Sequence, residues 1–239
     1  MRKMRKVIYT LSFVCILIMM SACGNSKTNS NVSENPVENE EVSQQLEIKD
    51  LEMVEYGYER DSNGYLQVAA VIKNPNSEHT AKSAHVNWTI VDDNGVVISE
   101  PKTVETIRPD ETIVVSFPAI QHEEFAEISV ELEVKEENWI IEEKPVVTLS
   151  DISLSELKVE KDFYKAYVVS GFIENKSEFD VSSYGVGIVF KKNGKIVGGS
   201  STDIHLPLSA GKKYDFKQAS SMSFPEMDDY EIYIYNIEI

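Results

Sequence analysis

The sequence contains an internal repeat, which restricts the fold more than any other feature of the chain. Two pairs of segments match at a separation of 101 residues, and two further pairs match at a separation of 99. These ordered matches indicate that one structural unit occurs twice, with a loop between Asn74 and Asn94 that differs by two residues. The matching pairs are 46–55 with 147–156, 65–74 with 166–175, 91–98 with 190–197, and 107–117 with 206–216.

Each copy of the repeat has the pattern of a β-protein. Apolar runs of five to nine residues, rich in Val, Ile, Tyr and Phe, are separated by turn residues. Asn94-Gly95 and Asn193-Gly194 lie between apolar segments, and Asn-Gly is typical of a type I′ hairpin turn, whose central residues both have positive φ. We therefore predict an all-β protein with two tandem immunoglobulin-like β-sandwich domains, at residues 46–138 and 146–239.

A short motif in the first copy points to a known module. The segment 88–92 is followed by Asn94-Gly95 and later by the apolar segment 109–117. This arrangement resembles the FxLYD domain, a small immunoglobulin-like module of bacterial exported proteins, over residues 46 to about 135. The four specified positions of Phe-x-Leu-Tyr-Asp are occupied by Trp88, Ile90, Val91 and Asp92.

The second copy departs from this motif. When the copies are aligned through their Asn-Gly turns, the bulky residues of the corresponding strands fall on opposite parity. Because a slip of one residue exchanges the two faces of a strand, either a β-bulge separates the copies or the alignment is off by one. We favour the bulge. The residues concerned are Val86, Trp88 and Ile90 in the first copy, and Tyr184, Val186, Ile188 and Phe190 in the second.

The first 22 residues have the pattern of an export signal. Four cations (Arg2, Lys3, Arg5 and Lys6) precede an apolar run of 14 residues, Val7 to Met20, and a small-residue exit. A membrane span needs roughly 20 apolar residues, so this run is short for one. A core helix would leave the cations and the apolar stretch without a polar face toward water. We therefore predict that residues 1–22 are a signal peptide.

The end of this segment, Met20-Ser21-Ala22-Cys23, resembles the lipobox of bacterial lipoproteins, with Met20 in the usual Leu position. The resemblance implies that Cys23 is linked to a diacylglycerol and anchors the mature chain to the outer face of the cell membrane. Two acyl chains suffice for stable attachment where one does not. The chain has two cysteines, and Cys15 lies in the predicted signal, so lipidation also explains the remaining thiol.

Residues 23–45 are rich in Asn, Ser and Glu and show no periodicity, which predicts a flexible tether. The whole chain carries a net charge of −17, and loss of the four signal cations leaves 19 basic and 40 acidic residues, or −21. Such a surface repels nucleic acid, so we expect no nucleic-acid partner. Solubility and distance from a negative membrane are the plainest consequences of this charge.

Catalytic and metal-binding patterns are weak. The histidines, His79, His85, His122 and His205, lack zinc-like spacing, and no phosphate loop or nucleophile elbow occurs. Asp92-Asp93-Asn94-Gly95 could suggest calcium, but the second copy has Lys191-Lys192 at the acidic positions, so a hairpin turn is preferred. Glu123-Glu124 and Asp228-Asp229 are interpreted as solvated loop charges. We predict no enzymatic activity, no metal site and no cofactor.

The tyrosines leave two interpretations open. Ile234 and Tyr235 are adjacent on a predicted strand and cannot both face one core, so some aromatic side chains must be exposed or contact the other copy. Exposed aromatic groups bind sugars or proteins, whereas packing between the copies is the preferred interpretation. The other aromatic residues considered are Tyr56, Tyr58, Tyr65, Phe163, Tyr164, Tyr167, Tyr230 and Tyr233.

These features predict a non-enzymatic binding or accessory module, anchored through Cys23 and facing the extracytoplasmic side, that recognises an envelope protein or a wall glycan. The alternative is a passive spacer or assembly component with no ligand of its own. Binding predicts an exposed aromatic patch on one face, and a spacer predicts a uniformly charged surface. An enzyme would need a pocket with converging titratable groups.

Overall fold

The computed structural model describes residues 47–60, 64–120, 124–142, 145–162, 166–223 and 226–239. Cys23, the predicted signal peptide and the predicted tether lie outside the described residues. The described chain is almost entirely antiparallel β-structure, which confirms the all-β fold class. Among the described residues, no helix has the length and apolar character needed to cross a membrane.

The first copy forms two facing sheets. One has the strand order β1-β2-β6; in the other, β3 pairs with β4, β5, β7 and β8. A single 3₁₀ turn, Glu136–Asn138, separates β7 from β8. The strands are β1 (Glu52–Arg60), β2 (Leu66–Lys73), β3 (His79–Val91), β4 (Val97–Ser99), β5 (Lys102–Ile107), β6 (Thr112–Ile120), β7 (Glu127–Glu133) and β8 (Trp139–Ile141).

The second copy repeats this arrangement with longer strands. Its sheets have the orders β9-β10-β13 and β12-β11-β14, and a 3₁₀ turn at Leu149–Asp151 precedes them. In each copy the first two strands share one sheet with a later strand, β6 or β13, and the third strand pairs in the other sheet with β7 or β14, as in immunoglobulin-like sandwiches. The strands are β9 (Ile152–Lys161), β10 (Ala166–Asn175), β11 (Ser183–Lys192), β12 (Lys195–Ile204), β13 (Lys212–Ser223) and β14 (Asp229–Glu238).

Strand β2 explains how the copies come together. Its residues are nearly all buried, because one face packs into the core of the first copy and the other faces the second copy. The core-facing residues are Leu66, Val68, Ala70 and Ile72. Ala69 and Val71 belong instead to a separate cluster with Val114, Val189 and Ile196. Residues 46–239 accordingly form one compact unit.

The parity conflict between the copies has a simple origin. Trp88 and Ile90 face the core of the first copy, and Ile188 and Phe190 face the core of the second, at a separation of 100 residues. A register irregularity follows Ile90 and Phe190 alike, so the predicted difference in bulging is wrong. The alignment through the turns was off by one residue, because the first turn is longer.

The two Asn-Gly turns differ. Asn193 and Gly194 both have positive φ, 52° and 74°, as the predicted type I′ turn requires. In the first copy Gly95 has a φ of 74°, and its N–H donates to the carbonyl oxygen of Asp92 at 3.0 Å. Asp92 N–H then pairs with Val96 O at 2.9 Å, which closes a three-residue loop. The type I′ prediction is therefore wrong for this turn.

The last matched segment also needs correction. Ile107 is fully buried and its structural counterpart is Leu208, which is 2% exposed. Leu206, its counterpart in the sequence alignment, is 67% exposed. The true separation is 101 residues here, because the strands that follow pair with β2 and β10 in the same register. Leu206 and Leu208 are both apolar, so the sequence match paired Ile107 with Leu206, although only Leu208 reaches the core.

Candidate functional site

The copies meet through a close interface between sheet β1-β2-β6 and sheet β12-β11-β14, which we call the inter-copy interface. Glycines allow this approach. A Cβ on Gly199 would lie 2.7 Å from the Cβ of Ala69 in the first copy. A Cβ on Gly187 would overlap the side chain of Val114, and one on Gly57 would overlap the backbone of Ile196. The interface is therefore tightly packed and holds the copies in one arrangement.

The C-terminal strand β14 serves both copies. Ile234 packs against the core of the second copy, whereas Tyr235 belongs to the buried cluster of the first. The adjacent residues thus face different cores, and the preferred interpretation of the tyrosines holds for Tyr235 and for Tyr233, which packs beside it. Burial raises the pKa of the Tyr235 phenol above its usual value.

An ion-pair cluster crosses the inter-copy interface. The ammonium group of Lys191 lies 2.9 Å from Glu55 on β1 and 2.8 Å from Glu231 on β14, and Tyr233 donates to Glu231 at 2.6 Å. Burial alone would lower the pKa of Lys191, but its two carboxylate partners outweigh that effect and raise it. Burial and the hydrogen bond to Glu231 raise the pKa of Tyr233 to about 12. This cluster holds the two copies together.

A cleft opens where the chain passes from the first copy to the second, and we call it the junction cleft. It consists of two adjoining cavities of about 420 and 470 Å³, a size usual for ligand pockets. The cavities share the lining residues Arg108, Pro109, Pro145, Val147 and Ile237. The remaining lining residues are Ser77, Asp110, Glu111, Glu142, Val146, Thr148, Leu149, Ser150, Glu238 and Ile239.

The turn between β5 and β6 forms the floor of this cleft. Glu111 is 5% exposed, and its carboxylate accepts the N–H of Arg108 at 3.0 Å and the N–H of Asn236 at 2.6 Å. The Arg108 guanidinium donates to the carbonyl oxygen of Ile237 and lies 3.6 Å from the Glu238 carboxylate. Burial raises the pKa of Glu111 despite these donors. A turn of the first copy is thereby bound to the last strand of the second.

Apolar side chains form much of the cleft wall. Val147 and Ile237 are buried at its base, at 3% and 7% exposure. Ile239, Val146 and Leu149 are exposed at its rim, at 63%, 54% and 38%. A concave surface with exposed apolar groups at its rim has the usual composition of a binding site.

The acidic residues noted in the sequence serve local structure. The Asp92 carboxylate accepts N–H groups from Asn94 and Val96, each at 2.9 Å. The Val96 bond is the largest cause of its lowered pKa. Asp228 likewise accepts the N–H of Asn193 at 2.9 Å, and so supports the second turn. Within the described residues, no group of three His, Cys, Asp or Glu side chains could hold a metal ion.

The other candidates are scattered. His79 and His85 lie six residues apart on β3 and His205 follows β12, while His122, Glu123, Phe163 and Tyr164 fall outside the described residues. Tyr56 and Tyr58 are exposed on β1, and Tyr58 contacts Phe125 edge-on at 5.4 Å between ring centroids. Most of the tyrosine side chains on β14 pack against the protein interior, as that of Tyr235 does.

The junction cleft is not predicted by the sequence patterns. Its walls come from segments far apart in the chain, including residues 145–150, where the sequence suggests only the boundary between the copies. One signal was available: Pro145, Val146 and Val147 place apolar residues in a predicted linker, where exposed segments are usually polar.

A second groove, of about 560 Å³, lies between β6, β12 and β13. Four of its lining residues (Ser116, Ser200, Ser201 and Thr202) carry hydroxyl groups, and the hydroxyls of Ser116 and Ser201 lie 3.3 Å apart across the two copies. Gln218 lines the groove and is 5% exposed. The groove offers hydrogen-bonding groups suited to a polyhydroxylated ligand, with Leu206 as its exposed apolar neighbour.

Comparison of the chain with known protein families gives no matching family, and comparison with curated proteins gives no relative.

Proposed function

We propose that the protein is a lipid-anchored, non-enzymatic binding module on the extracytoplasmic face of the cell membrane, and that it binds an envelope protein in the junction cleft. The observation that carries this proposal is the cleft itself, an apolar concavity built jointly by both copies. The inter-copy interface supports it, because a preformed site loses little conformational entropy on binding.

A passive spacer would explain this surface less well. A spacer gains nothing from Ile239, Val146 and Leu149, which are exposed at the rim of the cleft. Exposed apolar groups lower solubility and are usually retained where a partner covers them. The cleft therefore favours binding over spacing.

The non-enzymatic part of the proposal rests on how the titratable groups of the cleft are used. The Arg108 guanidinium donates to the carbonyl oxygen of Ile237 and pairs with Glu238, and the Glu111 carboxylate accepts the backbone N–H groups of Arg108 and Asn236. Glu142 accepts the Thr80 hydroxyl at 2.9 Å and lies 3.5 Å from Lys82. Groups held in structural bonds are poorly placed to move protons or attack a substrate.

The membrane location rests on the lipobox resemblance that ends at Cys23. A Cys23→Ser variant should lose its diacylglycerol and shift from the membrane fraction to the soluble exported fraction of the native cell. Cys15→Ser, in the predicted signal, is the matched control and should leave the protein at the membrane. Incorporation of a labelled fatty acid into the Cys23→Ser protein at the wild-type level would contradict the anchor, whatever its fraction.

The binding proposal is tested by crosslinking in the native cell. The full chain carries an affinity tag inserted into residues 24–45, so that Ile239 and the other residues beside the cleft stay unmodified. Val146→Ser and Ile239→Ser change the cleft rim, whereas Val104→Ser removes an equally exposed valine, at 57%, from β5. We expect one envelope protein to be crosslinked to the wild-type chain and to the Val104 variant, and to be lost from both rim variants.

Two outcomes would contradict the proposal. If wild type and rim variants crosslink the same proteins equally, the junction cleft is not the site. If a wall glycan is recovered instead and is lost on Ser201→Val, the hydroxyl-rich groove between β6, β12 and β13 is the binding site.

A further inference from the structure

We infer that the ligand of the junction cleft is a polypeptide segment in which cationic side chains alternate with apolar ones. This inference rests on the proposed function and specifies the chemistry of its ligand. Two features of the described residues carry it: the charge of the cleft and its apolar wall.

The charge of the cleft is negative. Its lining holds four carboxylates (Asp110, Glu111, Glu142 and Glu238) and one guanidinium, that of Arg108. Arg108 pairs with Glu238, and Lys82 approaches Glu142 from outside the lining, so the local balance stays negative. Asp110 is exposed at the rim. An acidic rim attracts cations and repels anionic ligands, in keeping with the acidic chain as a whole.

The apolar wall requires that this cation also carries apolar groups. Leu149 lines one cavity, Val146 and Ile239 line the other, and Pro145 borders both. A simple cation such as a metal ion would leave these side chains exposed to water. A peptide with alternating side chains can bury its apolar groups against the wall and direct its cations to the rim.

The first described residues are hydrogen-bonded to the edge of this cleft. Lys49 N–H donates to the Asn76 side chain at 2.8 Å, and the Asn76 amide donates back to Lys49 O at 2.7 Å. The carbonyl oxygen of Asn76 in turn accepts the N–H of Asp110 at 2.9 Å, and the next residue, Ser77, lines the cleft. The segment at Lys49 is therefore tied through Asn76 to the turn that carries Asp110, beside the acidic rim of the cleft.

The test measures fluorescence anisotropy of labelled short peptides with the full chain in neutral detergent. The probe alternates lysine with leucine; one control peptide alternates glutamate with leucine and another alternates lysine with serine. We expect saturable binding of the lysine–leucine peptide only, weakening as salt is raised. Asp110→Asn should weaken it about two- to fivefold, and Val146→Ser about three- to tenfold.

The variants are matched for fold and exposure. Asn tolerates the positive φ of 58° at position 110, so Asp110→Asn removes charge without straining the turn. Asp93→Asn and Val104→Ser are the corresponding controls away from the cleft, and neither should alter the affinity. Equal binding of the glutamate–leucine peptide, or binding indifferent to both cleft variants, would overturn the inference.

Failure of this inference is distinguishable from failure of the proposed function. An envelope protein crosslinked through the cleft, together with no binding of the lysine–leucine peptide, would overturn the ligand chemistry and leave the binding module standing. If the crosslinked envelope protein is lost from the rim variants, and peptide binding depends on Asp110 and Val146, both the binding module and the ligand chemistry are supported.

Discussion

Asn74 and Asn175 occupy the same position in the two copies and make the same buried hydrogen bonds. The Asn74 amide donates to the carbonyl oxygens of His79 at 2.7 Å and Ile107 at 2.9 Å. The Asn175 amide donates to those of Phe179 at 2.8 Å and Leu208 at 2.9 Å. Each side chain joins the end of one sheet to the start of the next strand, and so closes one end of its sandwich.

Replacing either asparagine should be costly. Asn74→Ala and Asn175→Ala each leave two backbone carbonyl oxygens without their donor, and we expect a loss of about 2–4 kcal/mol in the free energy of unfolding. Urea unfolding of the full chain measures this loss. Asn87→Ala, on the half-buried part of β3, is the control and should cost less than about 0.5 kcal/mol. A cost below that level at Asn74 would refute the structural role of these amides.

The inter-copy interface should respond to one methyl group. Gly187→Ala places a Cβ against Val114, and because Gly187 does not have positive φ, the cost comes from packing. We expect a loss of about 1–3 kcal/mol by urea unfolding. Val114→Ala should partly relieve it in the double variant. Val115→Ala, which faces the core of the first copy, should give only additive effects with Gly187→Ala. Additivity at both positions would contradict the contact.

Glu105 should make stability depend on pH. Burial, with a smaller contribution from the charge of Asp203, outweighs the Thr103 hydrogen bond and raises the pKa of Glu105, so the folded state holds this proton more tightly than the unfolded chain. The contribution of Glu105 to the free energy of unfolding therefore falls as pH rises above the ordinary glutamate pKa of about 4.3. Glu105→Gln should raise the free energy of unfolding at neutral pH and have little effect at acidic pH.

The measurement for Glu105 is urea unfolding across this pH range. Glu131→Gln, an exposed carboxylate on β7, is the matched control and should leave the pH profile unchanged. If the benefit of Glu105→Gln were the same at acidic and neutral pH, ionisation of this carboxylate would not be its cause.

The two Asn-Gly turns should tolerate alanine differently. Asn193 has a φ of 52°, which costs an alanine about 1 kcal/mol, whereas Asn94 is not among the residues of positive φ. Asn193→Ala should therefore lower the urea midpoint of unfolding, and Asn94→Ala should leave it nearly unchanged. Equal effects would mean that the two turns share one conformation.

The β-class and the duplication could be read from the chain because both depend on local patterns. Alternating apolar residues mark strands wherever one face is buried, and a repeat leaves similar patterns at a constant separation. The position-by-position match between the two copies was wrong at the turns and at the strand ends beside them. Leu206 and Leu208 are both apolar, and only the hydrogen bond from Asn175 and the register of β13 identify Leu208 as the core residue.

The candidate site could not be read in the same way. Arg108 meets Ile237 and Glu238 across more than a hundred residues of chain, and no local pattern records such a contact. The difference between the two turns could not be predicted from a local pattern either. Asn94-Gly95 and Asn193-Gly194 are identical as dipeptides, but different numbers of residues close the two loops.

The sequence by itself determined the all-β class, the duplication, the acidic charge and the expectation of an anchor at Cys23, because each depends on composition or on neighbouring residues. Tertiary structure decided that Ala69 and Val71 face the second copy, that Tyr235 belongs to the first core, and that the cleft forms around Arg108. These depend on which faces meet in space. A strand buried on both faces has the same local pattern whichever partners cover it.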